Sequence, residues 1–145
     1  MLYFAYGSNM NRKQIEERVH RSSLGGVVAR LCGFTLRFNK RSTDKSGKAN
    51  IVAEKEGEVW GVLFGVSDAE IESLASHEGG YSRTFIDVIG AELKEPISAL
   101  TFVAKGDAPD ILPTRQYLET ILQGAREHRL PDKYCKKLAA TKTAA

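Results

Sequence analysis

Two short stretches carry the residues best suited to chemistry. The first is Phe4-Ala5-Tyr6-Gly7-Ser8-Asn9-Met10. An apolar run stops abruptly at Gly7-Ser8-Asn9, and Asn11 with Gln14 opens an amphipathic segment. Strand, tight turn and helix in that order aim several backbone N–H groups into one small space, and a helix N-terminus adds partial positive charge. Anions, and oxygens that become anionic during a reaction, bind well at such places. A plain strand-to-helix turn capped by Asn is the alternative. The second stretch is Ser76-His77-Glu78-Gly79-Gly80-Tyr81-Ser82-Arg83. Read as a helix end, it puts Glu78 in the last turn, where the macrodipole favours Lys or Arg. Such local inconsistency is a mark of function. An exposed glutamate one turn before a glycine cap is the alternative.

Other chemistries find little support. His20, His77 and His128 lie on unrelated segments without metal-ligand spacing, so no metal is expected. Cys32 and Cys135 form no C-x-x-C pair and read as free buried thiols in a reducing compartment. Ser8 is outside a G-x-S-x-G elbow. Arg37, Lys40, Arg41, Lys45 and Lys48 surround Asp44, but Gly47-Lys48 is followed by Ala49, which is no P-loop. Phe38 is the one aromatic there, so base stacking is poorly served. This stretch reads as a solvated loop, and no nucleic-acid partner is expected.

The elements that must position these residues follow from periodicity. Strands are expected at Leu2–Tyr6, Val27–Phe38, Asn50–Ala53, Glu58–Val66, Tyr81–Leu93 and Ile97–Ala104. Lys55-Glu56-Gly57 reads as a hairpin turn, Gly33 as a bulge or bend, and Lys40–Ala49 as a mobile loop. The apolar run from Val59 to Val66 suggests burial on both faces. Helices are expected at Arg12–Val19, with Asn11 and Gln14 as a capping box, and from Ser67 to the glycines at 79–80, opened by the Ser67–Glu70 box. Two more follow, from Pro113-Thr114 to about His128 and from Lys133 to Leu138. Strands dominate the middle and do not alternate with helices. That order predicts an α+β fold, a small mostly antiparallel barrel or sheet with helices outside.

Length and composition fit one domain over residues 1–138 with a flexible tail at 139–145. The 145 residues are 42% hydrophobic and 27% charged, with net charge +3. No window approaches the ~20 apolar residues of a membrane span. No targeting segment is visible, so a cytoplasmic protein is expected.

Together the two stretches resemble the signatures of the γ-glutamylcyclotransferase-like (AIG2-like) family. Leu2 to Met10 is similar to its first motif, and Glu78-Gly79 followed by Tyr81 and Arg83 to its second. Asn50-Ile51-Val52, Val59-Trp60-Gly61-Val62-Leu63 and the segment from Tyr117 to Tyr134 agree with its central strands and final helices. The resemblance implies a barrel with a cavity at one mouth, no cofactor, and a small-molecule γ-glutamyl substrate whose γ-glutamyl group is cyclised to 5-oxoproline with release of an amine. It puts the catalytic glutamate at Glu78 and the substrate-cradling turn at Tyr6, Gly7, Ser8 and Asn9, with Tyr81 beside them. Partial burial would raise Glu78 toward ~6–7, where one carboxyl can take a proton from the α-amine and return it to the leaving group. Backbone N–H groups of Gly7–Asn9 would hold the oxyanion. The α-carboxylate would fall to that turn, to Ser8 or to Arg83. Tyr117 reads as a core aromatic. Met10 in place of a frequent Leu, and the short Gly79-Gly80 link, depart from the pattern. The rival reading is a non-catalytic ligand-binding module on the same fold. Monomer and homodimer are both compatible with the chain.

Overall fold

Residues 1–92 and 94–144 are described by the computed structural model. Five strands are β1 (Leu2–Ala5), β2 (Val27–Arg41), β3 (Gly47–Gly65), β4 (Ser82–Gly90) and β5 (Pro96–Val103). Four helices are α1 (Arg12–Val19), α2 (Asp68–Ala75), α3 (Arg115–Glu127) and α4 (Asp132–Ala139). The strands close into a barrel in the order β1-β3-β2-β4-β5. All neighbours are antiparallel except β1 and β5, which are parallel at Tyr3 and Leu100. The α+β barrel expected from element order is therefore present, with helices on its outside.

The middle of the chain departs from expectation. The segments read as two strands at Asn50–Ala53 and Glu58–Val66 are one strand, β3, and the expected loop at Lys40–Ala49 is mostly the β2–β3 hairpin. The true reversal is Ser42–Ser46, where the Ser46 N–H donates to Asp44 and Lys45 adopts φ 70°. Lys55-Glu56-Gly57 does interrupt the ladder, but as a bulge. Cys32 pairs with Glu58 and Phe34 with Ala53, so residues 54–57 oppose Gly33 alone. Gly33 takes φ +86°, which suits glycine. At Gly57 a Cβ would stand 2.4 Å from the Phe34 carbonyl oxygen. Turn chemistry therefore kinks a continuing strand instead of reversing it, because β2 carries its own irregularity at the same level.

Burial follows the closed topology. β1 is paired on both edges, and Tyr3, Phe4 and Ala5 are buried. Val59, Val62, Leu63 and Phe64 of β3 are buried too, as the unbroken apolar run implies. Helix α1 buries Ile15 and Val19, and α2 buries Ile71 and Leu74 behind an intact Ser67–Glu70 capping box. The polar stretch hides two buried asparagines that act as pins. The Asn50 amide spans Asn39, the Ala104 carbonyl and the Ala104 N–H, tying β3 to β2 and to the end of β5. Those hydrogen bonds make burial of polar side chains tolerable.

Other expectations need smaller changes. Helix α2 stops at Ala75, short of the glycines. Cys135 is buried, but Cys32 at the bulge is exposed. Ala139 closes α4, and the Ala144 N–H donates to the Pro113 carbonyl. Leu93, the expected end of the strand from Tyr81, and Ala145 lie outside the described residues.

The bulge gives a stability test. Gly57→Ala is expected to lower the unfolding free energy by about 1–3 kcal/mol through overpacking against β2. Gly65→Ala, where a Cβ meets nothing within 4 Å, should change it by less than about 0.5 kcal/mol. Denaturant titration of both variants checks the contrast.

Candidate active site

The first wall is made where β1 ends. After Tyr6 the chain bends at Gly7 and makes one 3₁₀ turn, Ser8–Met10, closed by Met10 N–H to Gly7 O (3.1 Å) and Asn11 N–H to Ser8 O (2.9 Å). Only then does α1 begin, capped by the Asn11 side chain accepting from the Gln14 N–H. The expected capping box is thus half made, because the Gln14 side chain reaches Ser8 and Asn9 instead. The intervening turn also means that the backbone lining the cavity belongs to it and not to the N-terminus of α1. The Gly7, Ser8 and Asn9 N–H groups have no hydrogen-bond partner among the described residues. A side chain at Gly7 would project to within 3.2 Å of Ala49 Cβ and 3.6 Å of the Tyr117 hydroxyl.

Helix α3 holds this turn from behind. At Gly124 a Cβ would lie 2.5 Å from Asn11 N and from the Met10 carbonyl carbon, so backbone meets backbone. The Asn11 amide donates to Thr120 O, and the Arg12 N–H donates to Glu127.

The opposite wall comes from the end of α2. His77 N–H donates to Leu74 O and Glu78 N–H to Ala75 O, both at 3.0 Å, which draws the chain out of the helix. A turn over Gly79-Gly80 follows, closed by Tyr81 N–H to Glu78 O, with Gly80 at φ +85°. Glu78 therefore sits three residues beyond α2, and the macrodipole conflict expected from sequence does not arise. Burial matters instead. It pushes the Glu78 carboxyl up to about 7, against the opposing pull of Arg18, the Asn9 amide and Lys40.

One side chain joins the two walls. Asn9 is 3% exposed. Its Nδ2 donates to Glu78 Oε1 at 3.1 Å and to the Tyr3 hydroxyl at 3.0 Å. Its Oδ1 accepts from Arg18 (2.9 Å) and from Gln14 (3.1 Å).

Tyrosines complete the enclosure, a cavity of about 300 Å³ including its open mouth. The Tyr6 hydroxyl donates to the Phe102 carbonyl. Tyr81 donates to Ala49 O at 2.6 Å, while the Ala49 N–H donates to the Tyr117 hydroxyl at 2.9 Å. Both backbone groups of Ala49 in β3 are thus held by tyrosines. Burial raises all four phenols, Tyr117 to about 12, so they stay protonated at neutral pH. Lys48 Nζ lies 4.0 Å from the Tyr117 ring centroid and Lys40 Nζ 5.7 Å from that of Tyr81.

The cavity therefore brings together Tyr6, Gly7, Ser8, Asn9, Glu78 and Tyr81. Arg83 is not among them. Its guanidinium turns to α2 and pairs with Glu72 at 2.8 Å on the surface. Tyr117, read as a core aromatic, lines the cavity with its hydroxyl. Tyr3 and Arg18 were missed altogether. Gln14 and Arg18 lie four residues apart on one helix face, a signal of shared surroundings that leaves the target unnamed. Lys40 and Lys48 belong to the site's rim, where a solvated loop was expected.

The architecture is thus a closed barrel that sets a half-buried carboxyl against a turn of unpaired amides across a small cavity. The family model described as "AIG2-like family" matches residues 58–138. Curated γ-glutamylcyclotransferases from Mus musculus and Homo sapiens are 33% and 32% identical, each over 96% of this chain and 77% of the relative. A solved structure titled "Gamma-glutamyl cyclotransferase" superposes with a TM-score of 0.90 at 31% identity, over 99% of this chain and 89% of that one. The chain belongs to the γ-glutamylcyclotransferase-like, or AIG2-like, family.

Glu78 imposes a pH dependence on stability. Its folded pKa of about 7 lies above the ordinary carboxyl value of 4.5, so between these values the native state binds the extra proton. Stability contributed by Glu78 is full at low pH and is lost as pH rises. Relative to Glu78→Gln, the wild-type unfolding free energy should fall by about 2–4 kcal/mol between pH 4 and pH 8. Urea titrations across that range measure it. Arg83→Ala removes only an exposed ion pair and should cost at most about 1 kcal/mol.

Proposed function

We infer that the protein is a γ-glutamylcyclotransferase-type enzyme that releases 5-oxoproline from a γ-glutamyl amide. The observation that carries this reading is the Glu78 carboxyl, raised to about 7 and held by Asn9 across the cavity from a turn with free amides. Its identity with curated enzymes of that name supports the same conclusion.

The substrate folds so that its own α-amine approaches its γ-carbonyl. Ring closure within one molecule supplies much of the acceleration, since well-oriented intramolecular reactions reach effective molarities of ~10⁵–10⁸ M. Glu78 Oε1 is engaged by Asn9, and Oε2 has no partner among the described residues. Oε2 takes the proton from the α-ammonium. The freed nitrogen lone pair forms the bond to the γ-carbon, and the carbonyl electrons move onto oxygen. The Ser8 and Asn9 N–H groups receive this oxyanion. Such donors are each worth ~2.7–4 kcal/mol when well aimed. Collapse of the intermediate breaks the bond to the leaving nitrogen, which takes the proton back from Glu78. Glu78 then removes the second proton from the ring nitrogen, leaving the neutral lactam, and passes it to the released amine, which departs as ammonium. The carboxylate is thereby regenerated with no net change.

Specificity for the γ-glutamyl end falls to the Gly7–Asn9 turn and the Tyr6 and Tyr81 rings. With Arg83 turned away, Ser8 and the turn's N–H groups are the nearer candidates for the α-carboxylate. The residues involved lie between Tyr3 and Tyr117, which fits one catalytic unit over residues 1–138. A reducing, cytoplasmic setting is part of this reading, because Cys32 is an exposed free thiol. No helix among the described residues is long and apolar enough to cross a membrane.

A panel of γ-glutamyl dipeptides and amines, assayed for 5-oxoproline, tests the activity. Glu78→Gln should remain folded and lose about 10²–10⁴-fold in kcat. Wild-type kcat/KM should fall with decreasing pH below about 7 as Glu78 becomes protonated. Full activity in Glu78→Gln would sink the mechanism.

A further inference from the structure

Arg18 lies outside the cavity, on the helix that follows the turn. It makes no ion pair among the described residues, and its side chain has one hydrogen bond, to Asn9 Oδ1 at 2.9 Å. Gln14, one turn earlier, donates to the same oxygen and to Ser8 Oγ at 2.7 Å. An amide oxygen that accepts from a guanidinium and a second amide has a fixed direction. The –NH₂ group must then face the other way, toward Glu78 Oε1 and the Tyr3 hydroxyl. The reversed amide would set its carbonyl against the carboxylate and its –NH₂ against a cation. Both contacts are repulsive.

We propose that Arg18 is a positioning residue for the cyclisation: with Gln14 it locks the Asn9 amide so that the amide holds Glu78 Oε1 and leaves Oε2 for the substrate's ammonium. The proposal rests on the reading of Glu78 as the proton-transfer group. It gives α1 a part in the chemistry, although none of its residues lines the cavity.

Charge follows the same path. Two cations act on Glu78, Arg18 from α1 and Lys40 from β2, and both hold its carboxyl down against burial. Around Glu78 and Arg18 stand the amide of Asn9 and the phenols of Tyr3, Tyr6, Tyr81 and Tyr117, which burial keeps protonated. Two further groups, His77 and Lys48, interact with Arg18; burial first, and the Arg18 charge as well, disfavours their cationic forms. Lys40 is also committed elsewhere, donating to Arg41 O at 2.7 Å beside the Tyr81 ring. Without Arg18 the carboxyl loses a cation and the donor aimed by it, and both losses raise its pKa.

The test uses the full chain with Arg18→Met, which keeps an apolar stem, and Arg18→Lys, which restores the charge. Thermal melting checks that both fold. With a γ-glutamyl dipeptide as substrate, Arg18→Met should lose on the order of tenfold in kcat, the scale of a misplaced catalytic group, with KM nearly unchanged. The acidic limb of kcat/KM should move up by about one pH unit, and Arg18→Lys should bring it back. In parallel, carbon-13 NMR of labelled glutamate follows the Glu78 carboxyl directly, assigned by its loss in Glu78→Gln. Its midpoint should rise in Arg18→Met. An unchanged midpoint, or a loss expressed in KM alone, overturns the proposal. If the wild type forms no 5-oxoproline from any γ-glutamyl compound, the functional reading fails, and the NMR midpoints still decide the role of Arg18.

Discussion

The hydrogen bond from Asn9 to Glu78 joins two features that are each costly alone. A half-buried carboxyl is poorly solvated, and a turn with free amides leaves donors unpaired. They face each other across a small cavity, and the proposed reaction draws on both. The rest of the molecule keeps them at that separation. Glu78 is pinned by backbone hydrogen bonds on both sides, and Asn9 has every polar atom of its amide engaged. Neither side chain is free to relax the other's strain by moving away.

The barrel supplies the stiffness this needs. β1 delivers the turn from a position paired on both edges, so its end cannot drift. Helix α3 presses on the far side of the turn through Gly124, where backbone touches backbone. β3 offers the Ala49 N–H and C=O to two tyrosine hydroxyls, and the buried Asn50 next to it ties β3 to the end of β5. The long β2–β3 hairpin, kinked at Gly33 and Gly57, carries Lys40 and Lys48 to the rim. Stability and site geometry therefore share the same contacts, which is usual where function requires an unfavourable arrangement.

Much of this was legible locally. The Ser67–Glu70 box and the start of α3 at Pro113-Thr114 are legible because helix-start signals depend on residues a few positions apart. The Gly33 bulge was legible for the same reason. The Lys55-Glu56-Gly57 turn was misread as a reversal, since a turn signal does not say whether the partner strand continues past it. The stretch at 40–49 looks like a loop because it is polar and charged, and the two buried asparagines that flank it, Asn39 and Asn50, give no local sign of burial. Their burial rests on bonds to the ends of β5 and the loop after it. Glu78 was singled out for a dipole conflict that a helix ending at Ala75 removes, and burial took its place as the cause.

By itself, the sequence determined the elements, the class of fold and the two motifs, because these are written in short-range periodicity, caps and residue type. Tertiary structure decided which residues meet. It turned Arg83 outward to Glu72 and brought Tyr117 into the cavity. It set Arg18 behind Asn9, and Asn9 against a carboxyl 69 residues further along the chain. The pKa of Glu78 was decided there too, because desolvation comes from what other segments pack around a side chain, and no neighbour in the chain records it.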